Sequence, residues 1–174
     1  MKPSSLLLGA LTALLTWDAP ALAASPTGLV PVLAGHTWLN GRVTDGDVRG
    51  RVVLVDVFTF ECINCVRVTP NLQRLYRTYS RRDLEIVGVH TPEVPSYQQR
   101  LSYLHGQTVK ASIPWPIVVD NDYRIWQAYG VSSWPTQLLF DSAGRLRATI
   151  IGDSQDAVVD RTIARLVRLE RVRR

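Results

Sequence analysis

Sulfur is scarce in this sequence. Among its 174 residues there are two cysteines, Cys62 and Cys65, and one methionine. A single cysteine pair excludes a small fold stapled by several disulfides, and it leaves no second pair for a four-thiolate zinc site. Histidine is nearly as rare, with His36, His90 and His105 scattered along the chain. Lysine occurs only as Lys2 and Lys110, so nearly every positive charge is an arginine. No run reaches the ~20 apolar residues of a bilayer-spanning helix, which excludes a polytopic membrane protein. There is no internal repeat and no low-complexity tract. What remains is 46% hydrophobic and 20% charged, with 20 basic against 15 acidic residues. That composition excludes disorder, and the length suits one globular domain with a short appendage. The basic excess forms no RNA- or DNA-binding motif, so it reads as a solvated face with no nucleic-acid partner.

The appendage is at the start. Lys2 and the α-amino group precede an apolar stretch, Ser5 to Trp17, which Asp18 and Pro20 end. Ala21-Leu22-Ala23 then supplies a small-x-small cleavage pattern. The sequence predicts a cleavable export signal over 1–23, a loose lead-in over 24–36 and one domain over 37–174. The expected location is the periplasm or another extracytoplasmic space. There, paired cysteines oxidise unless something keeps them reduced.

Arg51–Phe58 and Leu84–Val89 are β-branched and almost continuously apolar, as strands buried on both faces should be. Shorter strands are expected over 37–43, 116–119, 136–141 and 145–151, the last two joined by a Ser142-Ala143-Gly144 turn. Helices are expected over 62–79, 96–104 and 122–129, the last capped by Asp122, and from 155 to the end. Thr44–Asp47 reads as a turn. Alternating strands and helices followed by a hairpin predict an α/β fold whose parallel core carries added antiparallel strands.

Cys62-Ile63-Asn64-Cys65 directly follows a buried strand and opens a helix. Cys62 falls where helix N–H groups lack partners and the helix dipole is positive, an environment that stabilises a thiolate. Cys65, one turn further in, should be more buried. One sulfur that attacks and one that resolves is the arrangement of dithiol–disulfide exchange. Three alternatives share the residues: a structural disulfide, whose short loop would stabilise little; a zinc site, short of ligands; and a Cu(I) carrier using the thiolates, with His90 as a candidate further ligand.

Further residues fall into a pattern around the pair. Asp56 stands six residues before Cys62 and Pro70 five after Cys65. Trp134-Pro135-Thr136 opens a strand, and the runs Gly88–Glu93 and Asp120–Tyr123 follow the two preceding strands. In these positions the sequence resembles the thioredoxin superfamily, most closely the exported TlpA/ResA-like proteins and the thioredoxin-like domain of DipZ, over roughly residues 37–152. The resemblance implies a thioredoxin-like fold: a central mixed β-sheet flanked by helices, with a TlpA-like insertion at about 91–114. It implies a thiol–disulfide oxidoreductase with a redox-active Cys62–Cys65 disulfide, no cofactor and no metal.

By the same resemblance Cys62 attacks, Cys65 resolves, and Asp56, its acidity weakened by burial, takes a proton from Cys65. A cis Pro135 presents the backbone of Trp134 to the substrate, with Thr136 beside it. Trp134 itself reads equally as a substrate platform or a cap on the core. Glu61 opposes the neighbouring thiolate, Glu93 matches a second acid of TlpA-like reductases, and Ile63 and Asn64 help to set the potential. The implied substrates are cysteine-containing proteins. The implied direction is reduction, with cytochrome c maturation as a candidate setting and electrons from a membrane thiol donor of the DsbD/CcdA kind acting in trans. The pattern also departs from its relatives. Phe58, Phe60 and Glu61 stand where the DipZ type has Trp, Tyr and Thr, and Ile63-Asn64 replaces a proline-containing pair of the TlpA type. A thiol peroxidase remains an alternative, since Thr59 and Arg67 lie near Cys62, although Cys62 belongs to a pair.

Overall fold

The computed structural model describes residues 28–173; the export signal expected over 1–23 lies outside them. The two continuously apolar runs become β2 (Val52–Phe58) and β3 (Leu84–His90), every residue of which is buried. They pair in parallel at the centre of a six-stranded sheet. β4 (Ile117–Val119) adds in parallel to β3, and β1 (Trp38–Leu39) closes that edge antiparallel. On the other side β5 (Thr136–Phe140) pairs antiparallel with β2, and β6 (Leu146–Ile151) with β5. The order is β1-β4-β3-β2-β5-β6. The sheet is mixed, as expected.

Helices cover both faces, so the molecule has three layers. α3 (Ile63–Thr78), α4 (Leu101–Lys110) and α6 (Asp156–Arg173) pack Leu72, Leu75, Leu104, Val159 and Ile163 against Leu54, Ile86 and Leu139. The opposite face holds α1 (Val30–Leu33), α2 (Asp45–Val48) and α5 (Arg124–Ala128) over Val53, Val55, Val57 and Val87. The strand alternation thus sends odd-numbered β2 residues to one core and Leu54, Asp56 and Phe58 to the other. α3 runs on through Pro70, whose missing N–H leaves the Val66 carbonyl without its helical donor. It is bound to α6 by Asn71 and Arg74, both of which donate to Asp160.

Four local expectations are corrected. Residues 28–34 are not a loose lead-in: Leu29 and Val32 are buried, and Tyr129 donates to the Gly28 carbonyl at 2.7 Å. The Thr44–Asp47 turn winds into α2, because Thr44 and Asp47 form a reciprocal capping box. The helix expected over 96–104 is split by an extended Arg100 into a 3₁₀ turn (Tyr97–Gln99) and α4, which extends to Lys110. α5 is capped by Asp120, whose carboxylate accepts from the N–H groups of Ile125 and Trp126 at 3.0 and 2.9 Å. Asp122 pairs instead with Arg124 at 2.8 Å.

Gly88 sits mid-strand in β3, where any larger residue would press on its neighbours. A Cβ there would lie 3.0 Å from Phe58 and 3.1 Å from Ile117. Gly88→Ala is expected to cost about 1–3 kcal/mol through overpacking. The check is the midpoint of urea unfolding, which should fall without a change in slope.

Candidate active site

β2 delivers the chain to a turn at the C-terminal edge of the sheet, and α3 starts there. Cys62 is the N-cap of α3, with extended backbone (φ −84°, ψ 115°), and its Sγ accepts from the N–H of Cys65 at 3.4 Å. The sulfur therefore sits where an N-cap oxygen normally would, against the unpaired end of the helix. Its S–H points at the Trp134 carbonyl, 3.9 Å away. Cys62 is half-buried, whereas Cys65 is 4% exposed, and both are free thiols. Burial pushes the Cys65 thiol well up, a backbone bond from Thr59 pulls the other way, and the Cys62 thiol and the nearby Asp56 charge add to the rise.

Asp56 lies in the row of the sheet beneath this helix end, with Gly88 beside it on β3 and Gln137 on β5. It is 4% exposed and its Oδ1 has no hydrogen-bond partner. Burial raises its pKa to about 7, against a hydrogen bond with Gln137 that lowers it. An acid of that strength gains and loses a proton near neutral pH.

The Trp134–Pro135 bond is cis, and the loop it belongs to carries the carbonyl that faces Cys62. The Trp134 indole packs on Trp126 with centroids 4.6 Å apart and borders both cores. So the ring caps the core while the backbone lines the site. Thr136, expected beside the substrate, is instead 1% exposed; its hydroxyl donates to Ser133 and closes the loop from inside.

The other expected residues are less closely drawn together. Ile63 is exposed at the rim. The Asn64 side chain accepts from Arg67, which also pairs with Asp153 at 3.1 Å, so that guanidinium is committed along α3. Glu93 is exposed in a turn organised by Gln98, which accepts from the N–H groups of Glu93 and Val94. Glu61 is exposed and accepts from the Tyr103 hydroxyl. His90 is fully buried, stacked on Phe60 (5.3 Å) and edge-on to Phe58 (5.7 Å), and neither ring nitrogen has a partner. Burial lowers its pKa to about 4, so it is neutral at pH 7. No group of three or more His, Cys, Asp or Glu side chains stands ready to hold a metal ion among the described residues.

Sequence reasoning missed Gln137, Trp126 and Tyr103. Gln137 had a signal, since two-residue alternation from Pro135 puts it on the Asp56 side of β5. Trp126 and Tyr103 come from helices whose docking no local pattern specifies.

Residues 50–146 match the thioredoxin-like domain family. The chain is 32% identical over 148 residues to Protein DipZ of Mycobacterium bovis, covering 80% of this chain and 21% of that protein. It therefore spans about a fifth of that relative's length. It is 30% identical over 132 residues to the thiol-disulfide oxidoreductase ResA of Geobacillus thermodenitrificans, covering 76% of this chain and 71% of the relative. Among solved structures, a thiol-disulfide isomerase from Corynebacterium glutamicum superposes with a TM-score of 0.70 at 26% identity, over 76% of this chain and 92% of that one.

Asp56 and His90 give stability opposite pH slopes. The raised Asp56 pKa means the folded state holds more protons than the unfolded one from about pH 4 to 7, so its contribution falls as pH rises through that window. The lowered His90 pKa means the unfolded state holds more protons from about pH 4 to 6.5, so its contribution is lost as pH falls. Asp56→Asn should stabilise the protein by about 2–4 kcal/mol at pH 8. Relative to the wild type, Asp56→Asn should gain most stability at high pH and His90→Phe should gain most at low pH. Urea unfolding of both variants between pH 4.5 and 8 checks this.

Proposed function

Because the chain belongs to the thioredoxin-like family of thiol–disulfide oxidoreductases, we propose that it works outside the cytosol as a reductase of protein disulfides. The observation that supports this best is the division between the two sulfurs. Cys62 is accessible at a helix N-terminus and faces a backbone carbonyl, while Cys65 is buried behind it beside an acid of pKa about 7.

The Cys62 thiolate attacks one sulfur of a substrate disulfide, forming a mixed disulfide and releasing the first substrate thiolate. Cys65 is too weak an acid to react unaided, and Asp56 takes its proton. The Cys65 thiolate then attacks the Cys62 sulfur. This closes the Cys62–Cys65 disulfide and frees the second substrate thiolate, so two electrons pass from the pair to the substrate. The Trp134–Pro135 loop offers the carbonyl that an extended substrate segment would bond in place of the Cys62 thiol. Ile63 forms the exposed lip.

A donor dithiol must then reduce the pair again. The N-terminal export pattern supports a periplasmic setting, and the donor we assign is a membrane thiol protein of the DsbD/CcdA kind acting in trans. Cysteine-containing proteins, including apocytochromes c awaiting haem, are the substrates we assign.

Equilibration with dithiothreitol and glutathione should give a reversible Cys62–Cys65 disulfide with a potential nearer about −270 mV than about −120 mV. A potential at the higher end would make the protein an oxidant of folding chains. Cys65→Ser should accumulate mixed disulfides and Cys62→Ser should form none. Failure to form any reversible disulfide, with tight Cu(I) binding lost in Cys62→Ser, would replace the reductase with a metal carrier.

A further inference from the structure

The residue before Cys62 is an acid, and an acid there works against the chemistry. A negative charge beside the sulfur opposes its thiolate, and the opposition weakens as the charges move apart. Glu61 is exposed but not left to itself, because its Oε1 accepts from the hydroxyl of Tyr103 on α4. Tyr103 is in turn held edge-on by Tyr97 of the 3₁₀ turn, with ring centroids 5.1 Å apart and planes at 89°. Burial and the bond to Glu61 push the phenol's pKa up, so it remains a donor throughout the neutral range.

We propose that Tyr103 is a positioning residue for the thiol chemistry: it draws the Glu61 carboxylate toward α4 and shares its charge, so that Cys62 can ionise next to an acid. The inference rests on Cys62 being the attacking thiol. It also gives the segment between β3 and β4 a task at the site. That segment supplies both tyrosines, so its docking reaches the reactive sulfur through one hydrogen bond.

The other groups around Cys62 do not offer the same relief. Cys65 and Asp56 lie behind it, and each adds negative charge when ionised. Arg67, the cation near it on α3, is engaged by Asn64 and Asp153. The Trp134–Pro135 loop contributes a carbonyl. The bond from Tyr103 is thus the one interaction seen to act on the Glu61 charge among the described residues.

The test is the pH titration of the Cys62 thiolate absorbance near 240 nm, in the Cys65→Ser protein so that a single thiol titrates. Tyr103→Phe should shift the midpoint upward, lowering the thiolate fraction at pH values below it by about twofold to threefold. Glu61→Gln should shift it downward. Adding Tyr103→Phe to Glu61→Gln should change nothing further, because no carboxylate is left to hold. A midpoint unmoved by Tyr103→Phe, or moved equally with and without Glu61, overturns the inference. So does an unmoved midpoint in Glu61→Gln, a surface change that reads the same charge should Tyr103→Phe fail to fold. Circular dichroism and the unfolding midpoint report folding of each variant. A wild-type protein that forms no reversible disulfide defeats the reductase reading. A reversible disulfide with an unmoved titration defeats only the role of Tyr103.

Discussion

A carboxyl group buried in the middle of the sheet is the constraint around which the site is organised. Asp56 cannot escape to solvent, because β2 is paired on both edges and covered on both faces. Its neighbours soften the consequence without removing it. Gln137 bonds it from β5, while Gly88 contributes no side chain from β3, and one oxygen is still left without a partner. A sequence shaped for stability alone would place an apolar residue here, as it does at Val53, Leu54, Val55 and Val57. The departure is intelligible as chemistry: the same burial that weakens the acid brings its proton affinity into the range where it can serve the buried Cys65 thiol.

The two cysteines then differ by the position of a single helical turn. The N-cap gives Cys62 a backbone donor and partial access, and one turn later Cys65 is in the core. Neither property belongs to cysteine itself. Both follow from where β2 ends and α3 starts, and α3 is held in place there by its bonds to α6 and its packing on the central strands. The opposite wall is built in the same economical way. Trp134 spends its ring on Trp126 and the core, Thr136 ties the loop to Ser133, and only a carbonyl faces the sulfur. His90, stacked on Phe60 and edge-on to Phe58 without a polar partner, packs beneath the turn as a flat neutral ring.

Much of this was legible in the order of residues. The apolar runs at 51–58 and 84–89 have no polar face, so they belong at the centre of a sheet wherever they fold. The position of Cys62 between such a run and a helix already implied an N-cap sulfur, and the spacing to Asp56 implied an acid on the same strand. Errors fell where a short-range pattern has several physical solutions. Asp120 and Asp122 are both plausible caps, and the choice fell to the one whose carboxylate reaches two N–H groups from the end of β4. The lead-in looked loose because it carries proline and glycine, yet Leu29 and Val32 find a hydrophobic face that only the assembled sheet offers.

The sequence by itself therefore determined the strands, the helix that starts at the cysteines, and the contrast between a half-buried and a buried sulfur, since these depend on periodicity and on neighbours along the chain. Tertiary structure alone decided that Gln137 faces Asp56, that the Trp134 carbonyl faces Cys62, that Thr136 turns inward and that Tyr103 reaches Glu61. Gln137–Asp56, Trp134–Cys62 and Tyr103–Glu61 lie 81, 72 and 42 positions apart. Contacts at that range are set by strand register and by how helices dock, which no local pattern encodes.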